Sequence, residues 1–186
     1  MLTTAPFYYL RHGETDWNWE RRQQGQSDIP LNETGRAQAH AAAPLLADCG
    51  IATICTSPLQ RARETADIVN RTLDVDLVVV DGLIECNWGV GESQVNDGWY
   101  ENWRDGGFLD GAESHTDFVA RSLAAINEAL DLPEPVLIVG HGGVYRAVKI
   151  HARLDLEFSL SNSVPVRHDP PTSDYPWWTA TEIESD

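Results

Sequence analysis

The run Val136-Leu137-Ile138-Val139 constrains the fold of this chain more than any other stretch. It is apolar without alternation, the mark of a strand in a sheet buried on both faces. Gly140-His141-Gly142-Gly143 follows directly, and a helix is expected from near Val144. Near the N-terminus the pattern occurs again. Phe7-Tyr8-Tyr9-Leu10 is aromatic or apolar with high β-propensity and runs into Arg11-His12-Gly13. Both stretches read strand, then His, then Gly. Open parallel sheets bind ligands beyond the C-terminal ends of their strands, so both histidines are expected at one site.

Periodicity and turn chemistry supply the other elements. Asn32 is placed to cap a helix to about Ala47, with Pro44 expected to kink or break it. Residues 51–56 and 75–80 read as strands. Between them a helix is expected with Ser57 as N-cap and Pro58 as its first residue, its apolar face running Leu59, Ala62, Ala66, Val69 and Leu73. Ser114 or Thr116 caps a helix to Leu130, stopped by Pro133 and Pro135. Residues 161–166 read as a closing edge strand, 168–174 as a turn and 177–181 as a last strand. Residues 19–31 are polar with Gly and Pro and read as a loop beside His12. Strands alternating with helices predict an α/β domain: a three-layer sandwich, a mostly parallel central sheet with helices on both faces.

Residue chemistry points to a phosphate site. Neutral imidazole is a nucleophile, and guanidinium is a rigid fork that holds phosphate oxygens in pairs. Arg11 beside His12 therefore suggests a histidine that attacks phosphorus while an arginine holds the phosphoryl oxygens. Arg61 and Arg63 flank the apolar face of their helix on opposite sides, and spacing does not choose between them. Glu85 follows the third strand, and burial against Ile84 and Trp88 would raise its pKa toward the range a general acid needs. Residues 87–110 hold Trp88, Trp99, Tyr100, Trp103 and Phe108 among Gly, Asn and Asp. They read equally as a lid over a pocket or as a satellite cluster capping the core. His40, His115, His151 and His168 lack a comparable setting and read as surface or core histidines.

The order Leu10-Arg11-His12-Gly13-Glu14-Thr15, with Trp17-Asn18 after it, resembles the signature of the histidine phosphatase superfamily, in the branch that holds the phosphoglycerate mutases and many small phosphatases. Arg22, Gly25, Asp28 and Leu31 match the positions that follow, and Gly35, Gln38 and Ala39 the next segment. Ser57-Pro58-Leu59-Gln60-Arg61-Ala62 is similar to the family's phosphate-binding helix start. Leu83-Ile84-Glu85, with Gly89 behind it, is similar to the acid-bearing segment, and Gly140-His141 to the second active-site histidine. The resemblance implies a phosphoglycerate mutase-like fold over one domain, 1–186, with a short aromatic-rich cap insert at about 87–110. It implies a phosphohistidine intermediate on His12, with His12, Glu85 and His141 catalytic and Arg11, Asn18, Arg61 and His141 on the phosphate. It selects Arg61 over Arg63 and implies neither metal nor cofactor. Arg22, Gly25, Glu92 and Trp88 become candidate substrate contacts, with a solvent-facing role equally open for Arg22. Relatives often continue Gly-x-x-Glu-Gly where this chain has Gly89-Val90-Gly91-Glu92-Ser93, so Glu92 competes with Glu85 as proton donor, and Glu85 is preferred.

A formal net charge of -16 excludes partners that are themselves anionic polymers or surfaces, nucleic acid and acidic membranes alike. The same field repels a phosphorylated substrate, so a phosphate site here must be a local cationic pocket. No apolar run approaches the roughly 20 residues a bilayer span needs, and no basic-then-apolar leader opens the chain. Cys49, Cys55 and Cys86 are odd in number and scattered, which favours reduced thiols and a cytoplasmic setting. The expected function is hydrolysis of small phosphate monoesters. A phosphoglycerate mutase shares every motif, but the insert is short for one. A weakly catalytic module that docks phosphorylated ligands is the alternative from another class. A metal site on the two histidines fits poorly, for lack of a ligand partner at the right spacing. Neither composition nor motif specifies an oligomeric state.

Overall fold

The two apolar runs become the centre of the sheet. The structure, a computed structural model, describes residues 1–95, 98–155 and 160–184. Among them, six strands form one sheet: β1 (Phe7–Arg11), β2 (Thr53–Thr56), β3 (Asp76–Val79), β4 (Val136–Gly140), β5 (Pro165–Asp169) and β6 (Thr179–Glu182), in the order β3-β2-β4-β1-β5-β6. The β3–β2, β2–β4 and β4–β1 pairings are parallel, while the β1–β5 and β5–β6 pairings are antiparallel, so that β5 alone runs against the other strands. The helices are α1 (Asp16–Trp19), α2 (Glu33–Leu46), α3 (Gln60–Leu73), α4 (Trp99–Arg104), α5 (His115–Leu130) and α6 (Gly142–Ala152).

Strand periodicity divides the core between two faces. Phe7, Tyr9, Val136 and Ile138 share a cluster with α5 and α6 residues such as Ile126 and Val148. Their neighbours Tyr8, Leu10, Leu137 and Val139 pack on α2 and α3 through Leu46, Ala62 and Val69. All eight strand residues are buried, each contributing about 1.5–3 kcal/mol by leaving water. The three-layer, mostly parallel α/β architecture expected from the sequence is the one observed. No helix among the described residues is long and apolar enough to cross a membrane.

Several local expectations need correction. The helix expected from Ser57 and Pro58 begins at Gln60, with Leu59 as its unassisted N-cap. Asp28 reaches across from another loop, and its carboxylate accepts the Gln60 N–H at 2.7 Å. That bond meets the helix terminus's need for an acceptor. The helix containing Pro44 runs through it to Leu46 instead of breaking there. Pro44 lies in the last turn, so its missing N–H frees only the carbonyl of exposed His40. A short helix, α1, lies in a stretch with no helix expected. Thr15 caps it, and Asn18 closes the reciprocal capping box. The helix after His141 starts at Gly142, two residues early. The strand expected at 161–166 as an edge is β5, an interior strand between β1 and β6 that includes His168 and Asp169. Pro165 takes its first position, where a missing donor is tolerated, and β6 is the edge.

Candidate active site

Register alone brings the two histidine motifs together. Arg11 stands opposite Gly140 in the β1–β4 ladder, so the next residues, His12 and His141, leave the sheet side by side. Their ring centroids are 5.3 Å apart. Thr56 ends β2 opposite Val139, which adds Ser57 to the same edge. The chain leaving β1 continues to α2 on one face, and the chain leaving β4 enters α6 on the other. That is the switch point at which open α/β sheets leave a crevice. The crevice here is a cleft of about 300 Å³.

His12 is 3 % exposed, and its Nδ1 lies 2.7 Å from the carbonyl oxygen of Gly13. A carbonyl can only accept, so Nδ1 carries the proton and Nε2 keeps its lone pair. Burial, then Arg61 and Arg11, push the His12 pKa well below the usual histidine range, which keeps the ring neutral. His141 is fully buried; burial lowers its pKa strongly, with Arg61, His12 and Arg11 adding to the effect. Its Nε2 lies 2.7 Å from the Ser57 hydroxyl. The Tyr9 hydroxyl donates to the His141 carbonyl at 2.8 Å and accepts its N–H at 3.0 Å, which clamps the backbone there.

Two guanidinium groups stand beside these rings. Arg61 is 1 % exposed and donates to the carbonyls of Ser27 at 2.9 Å and Gly25 at 2.7 Å, while its buried Nε has no partner. Burial lowers its pKa to about 10, which leaves it charged at neutral pH. Arg11 donates to the Leu160 carbonyl at 3.1 Å, and its buried Nε is likewise unpartnered. Buried donors without acceptors are costly, and an acceptor reaching either Nε would relieve that cost. Asn18 lines the cleft as well. Its side-chain oxygen is taken by the N–H and hydroxyl of Thr15, leaving the amide NH2 to present. Exposed Arg63 takes no part in the cleft.

The two glutamates separate cleanly. Glu85 lines the cleft, and its carboxylate accepts the N–H groups of Gly143 and Cys86, both at 2.9 Å. A Cβ on Gly143 would collide with that carboxylate, so the close approach requires glycine. Glu92 is not among the residues lining the cleft. It accepts the N–H groups of Gln26 at 2.9 Å and Ser27 at 3.0 Å, together with the Ser27 hydroxyl. Glu92 thus fastens the loop whose carbonyls hold Arg61. Gly25 turns that loop with a φ of 53° and lines the cleft. Arg22 lines it too, held by the Ser93 carbonyl at 2.9 Å and Glu20 at 3.0 Å, and stacked over Trp17.

The aromatic segment packs as a satellite of the core and also borders the cleft. Trp88, Trp99, Tyr100 and Trp103 meet edge to face or tilted, with Trp88 and Trp103 ring centroids 4.5 Å apart, and they join the α5–α6 core cluster. Trp88 and Tyr100 also form a wall of the cleft. Phe108 stands apart, exposed. His115 packs edge-on against Trp103, and His168 stacks on Phe7 in the core.

Sequence reasoning missed four contributors. Ser57 carries the helix-cap pattern, yet its hydroxyl serves His141. Arg121 of α5 donates to the carbonyls of Gly82 at 2.8 Å and Ile84 at 2.9 Å and pairs with Glu113 at 2.8 Å, bracing the Glu85 loop. Arg146 and Lys149 on α6 line the cleft, and their spacing after His141 was a signal available in the sequence. Among the described residues no group of His, Cys, Asp and Glu is arranged to hold a metal ion.

A neutral histidine with a free Nε2, facing two guanidinium groups at the switch point of a parallel sheet, defines a phosphoryl-handling protein. Comparison with known proteins gives the family. The model of the histidine phosphatase superfamily, branch 1, matches residues 7–170, and the chain belongs to that superfamily. A Bacillus subtilis protein named as an uncharacterized phosphatase, PhoE, is 37% identical over 141 residues, 75% of this chain and 72% of its own length. An Escherichia coli probable phosphoglycerate mutase, GpmB, is 40% identical over 147 residues, covering 73% and 68%. A solved mycobacterial glucosyl-3-phosphoglycerate phosphatase superposes with a TM-score of 0.79 at 27% identity, covering 97% of this chain and 98% of that one. The chain is an enzyme of the histidine phosphatase class.

Proposed function

We propose that the chain hydrolyses small phosphate monoesters in two steps, with His12 as nucleophile. The observation that carries this is the His12 Nδ1–Gly13 hydrogen bond at 2.7 Å, inside a buried pocket beside Arg11 and Arg61. It leaves an unprotonated Nε2 where a phosphoryl group would sit. In the first step Nε2 forms a bond to phosphorus and the ester P–O bond breaks. Arg11, Arg61, Asn18 and His141 bind the phosphoryl oxygens, and Glu85 gives its proton to the departing alcohol. In the second step water attacks the phosphohistidine and gives a proton to Glu85. The P–N bond breaks, its electron pair returns to Nε2, and inorganic phosphate leaves. Glu92 serves as a loop fastener in this scheme and Glu85 as the acid.

Residues 87–110 act as a short cap on one domain, with Trp88 and Tyr100 facing substrate and Gly25 and Arg22 at the rim. The free Cys49, Cys55 and Cys86 fit a reducing, cytoplasmic setting. The mutase name carried by the Escherichia coli relative favours a second reading, transfer between hydroxyls, which would show as strong stimulation by a bisphosphate.

The test is turnover of an aryl phosphate with a chelator present. Wild type is expected to turn over and, after acid quench, to carry phosphate on His12, while His12→Ala loses about 10³-fold or more. A wild-type enzyme that turns over and never labels His12 sinks the mechanism.

A further inference from the structure

The turn after β1 is held in shape from outside. β1 ends at Arg11, and the His12 N–H still reaches the Gly140 carbonyl at 3.0 Å. Beyond that bond the ladder stops, and the peptide groups on either side of Gly13 need other partners. A glycine backbone does little to fix their orientation by itself. No side chain can stand there in its place, because a Cβ on Gly13 would run into the Gly35 carbonyl of α2.

Three side chains from three parts of the chain supply the partners. The amide NH2 of Asn162, just ahead of β5, donates to the His12 carbonyl at 2.7 Å. The Gly13 N–H donates to the hydroxyl of Thr65 on α3 at 3.0 Å. The Glu14 N–H donates to the side-chain oxygen of Gln38 on α2 at 2.9 Å. The peptide between His12 and Gly13 is thus held at both ends, and the next one at its N–H. A peptide group is planar, so fixing its N–H fixes where its carbonyl points. The carbonyl of that second peptide is the one that takes the His12 Nδ1 proton, at 2.7 Å.

Thr65 does two things at once. It is fully buried, and its hydroxyl donates to the Arg61 carbonyl at 2.7 Å, which leaves a lone pair for Gly13. One hydroxyl therefore ties the turn that carries Arg61 to the peptides that orient His12. Which ring nitrogen of a histidine holds the proton is set by the hydrogen bond that the ring makes. With the Gly13 carbonyl turned away, nothing would keep the proton on Nδ1. On Nε2 it would occupy the lone pair that attacks phosphorus.

We propose that Thr65, Gln38 and Asn162 are positioning residues for the nucleophile: by holding the two peptides around Gly13 they keep His12 in the tautomer whose Nε2 is free. None of the three lines the cleft, so each acts through His12 and not on substrate. The proposal rests on the hydrolase reading and assigns what prepares its nucleophile.

The test is nitrogen NMR of the full chain labelled at its histidines, with the His12 signals assigned by their loss in His12→Ala. Wild type at neutral pH is expected to show a protonated Nδ1 and an unprotonated Nε2. Thr65→Val keeps the side-chain shape and removes both hydrogen bonds, and Gln38→Met removes the acceptor for Glu14. In each, part of the His12 population should move its proton to Nε2. Aryl phosphate kcat should fall about tenfold or more, with KM changed less than about threefold. Thr65→Ser keeps the hydroxyl and should restore both readouts. If Thr65→Val does not fold, Gln38→Met and Asn162→Leu, at half-buried positions, carry the same comparison. A wild type with the proton on Nε2 overturns the proposal without any variant. A kcat that falls while the tautomer stays overturns it too, since a general loss of packing does that, and so does a tautomer that shifts while kcat stays. The hydrolase reading fails separately, on wild type alone. Absence of turnover there removes the hydrolase, and the NMR comparison still decides whether the three side chains set the ring proton.

Discussion

Ser57 makes one hydrogen bond that reaches the chemistry, from its hydroxyl to His141 Nε2 at 2.7 Å. His141 is fully buried, so no water stands ready to replace that partner. Leaving a buried polar group unpaired costs about 1–3 kcal/mol. If His141 acts on the phosphoryl group, much of that cost falls on the transition state. Ser57→Ala should therefore lower kcat by about tenfold or more with KM changed less than about threefold, and Ser57→Thr should recover part of the loss. An unchanged kcat in Ser57→Ala would remove Ser57 from this role. The residue also shows what the sequence can carry. Arg11-His12-Gly13 and Gly140-His141 were legible because strand, turn and functional side chain are contiguous. Ser57 was read as a helix cap because Ser-Pro is a local signal, and its hydroxyl does accept the Leu59 N–H at 3.3 Å, but its partner at the site lies 84 residues away. The choice between Glu85 and Glu92 was of the same kind. It depends on which carboxylate reaches Gly143 and which reaches Ser27, and neither contact is local.

At the scale of elements, α5 is more than a layer of packing. Its Arg121 ties the carbonyls of Gly82 and Ile84 to Glu113, so one helix fixes the loop that presents Glu85. The ion pair is substantially shielded, with the two side chains 27% and 18% exposed. Replacing Arg121 by Leu leaves two carbonyls and a carboxylate without their donor. Stability should fall by about 2–4 kcal/mol, and kcat should fall more than KM rises because Glu85 loses its frame. Arg121→Lys restores charge without the fork and should recover stability better than kcat. An Arg121→Leu enzyme with normal kcat at a temperature where it is folded would show that Glu85 needs no brace. The elements themselves were legible where period and propensity act over many residues, as in β1, β4, α2 and α5. They were misread where one residue type carried the inference. Pro44 signals a break in isolation, but it sits where only one hydrogen bond remains to lose. Pro165 signals an edge, but it opens an interior strand. The start of α3 is set by Asp28, which no pattern around Ser57 contains.

At the scale of the molecule, three histidines lie in the interior uncharged. His12 is 3 % exposed, and His141 and His168 are fully buried. Burial is the leading cause that lowers each pKa, that of His168 to about 4. In the unfolded chain each titrates near pH 6.5. Below that value the unfolded state takes up protons that the folded state refuses. Their contribution to stability is therefore complete above pH 6.5 and is lost as pH falls through the window below it. Each histidine costs about 1.4 kcal/mol per pH unit there, so the three together cost about 4 kcal/mol between pH 7.5 and 5.5. Ordinary carboxylates titrate lower and stay ionised across that interval, so the folded protein keeps its negative charge and gains no relief from self-repulsion. For a chain of this length, about 4 kcal/mol corresponds to a fall in Tm of roughly 10 °C, which calorimetry at the two pH values would measure. His168→Gln removes one of the three groups at a site away from the cleft, and should reduce the fall by about a third. A Tm that holds constant between pH 7.5 and 5.5 would mean that the folded interior accepts these protons. In that case His12 would be charged in the folded enzyme, and the lone pair that the hydrolysis requires would be lost with it.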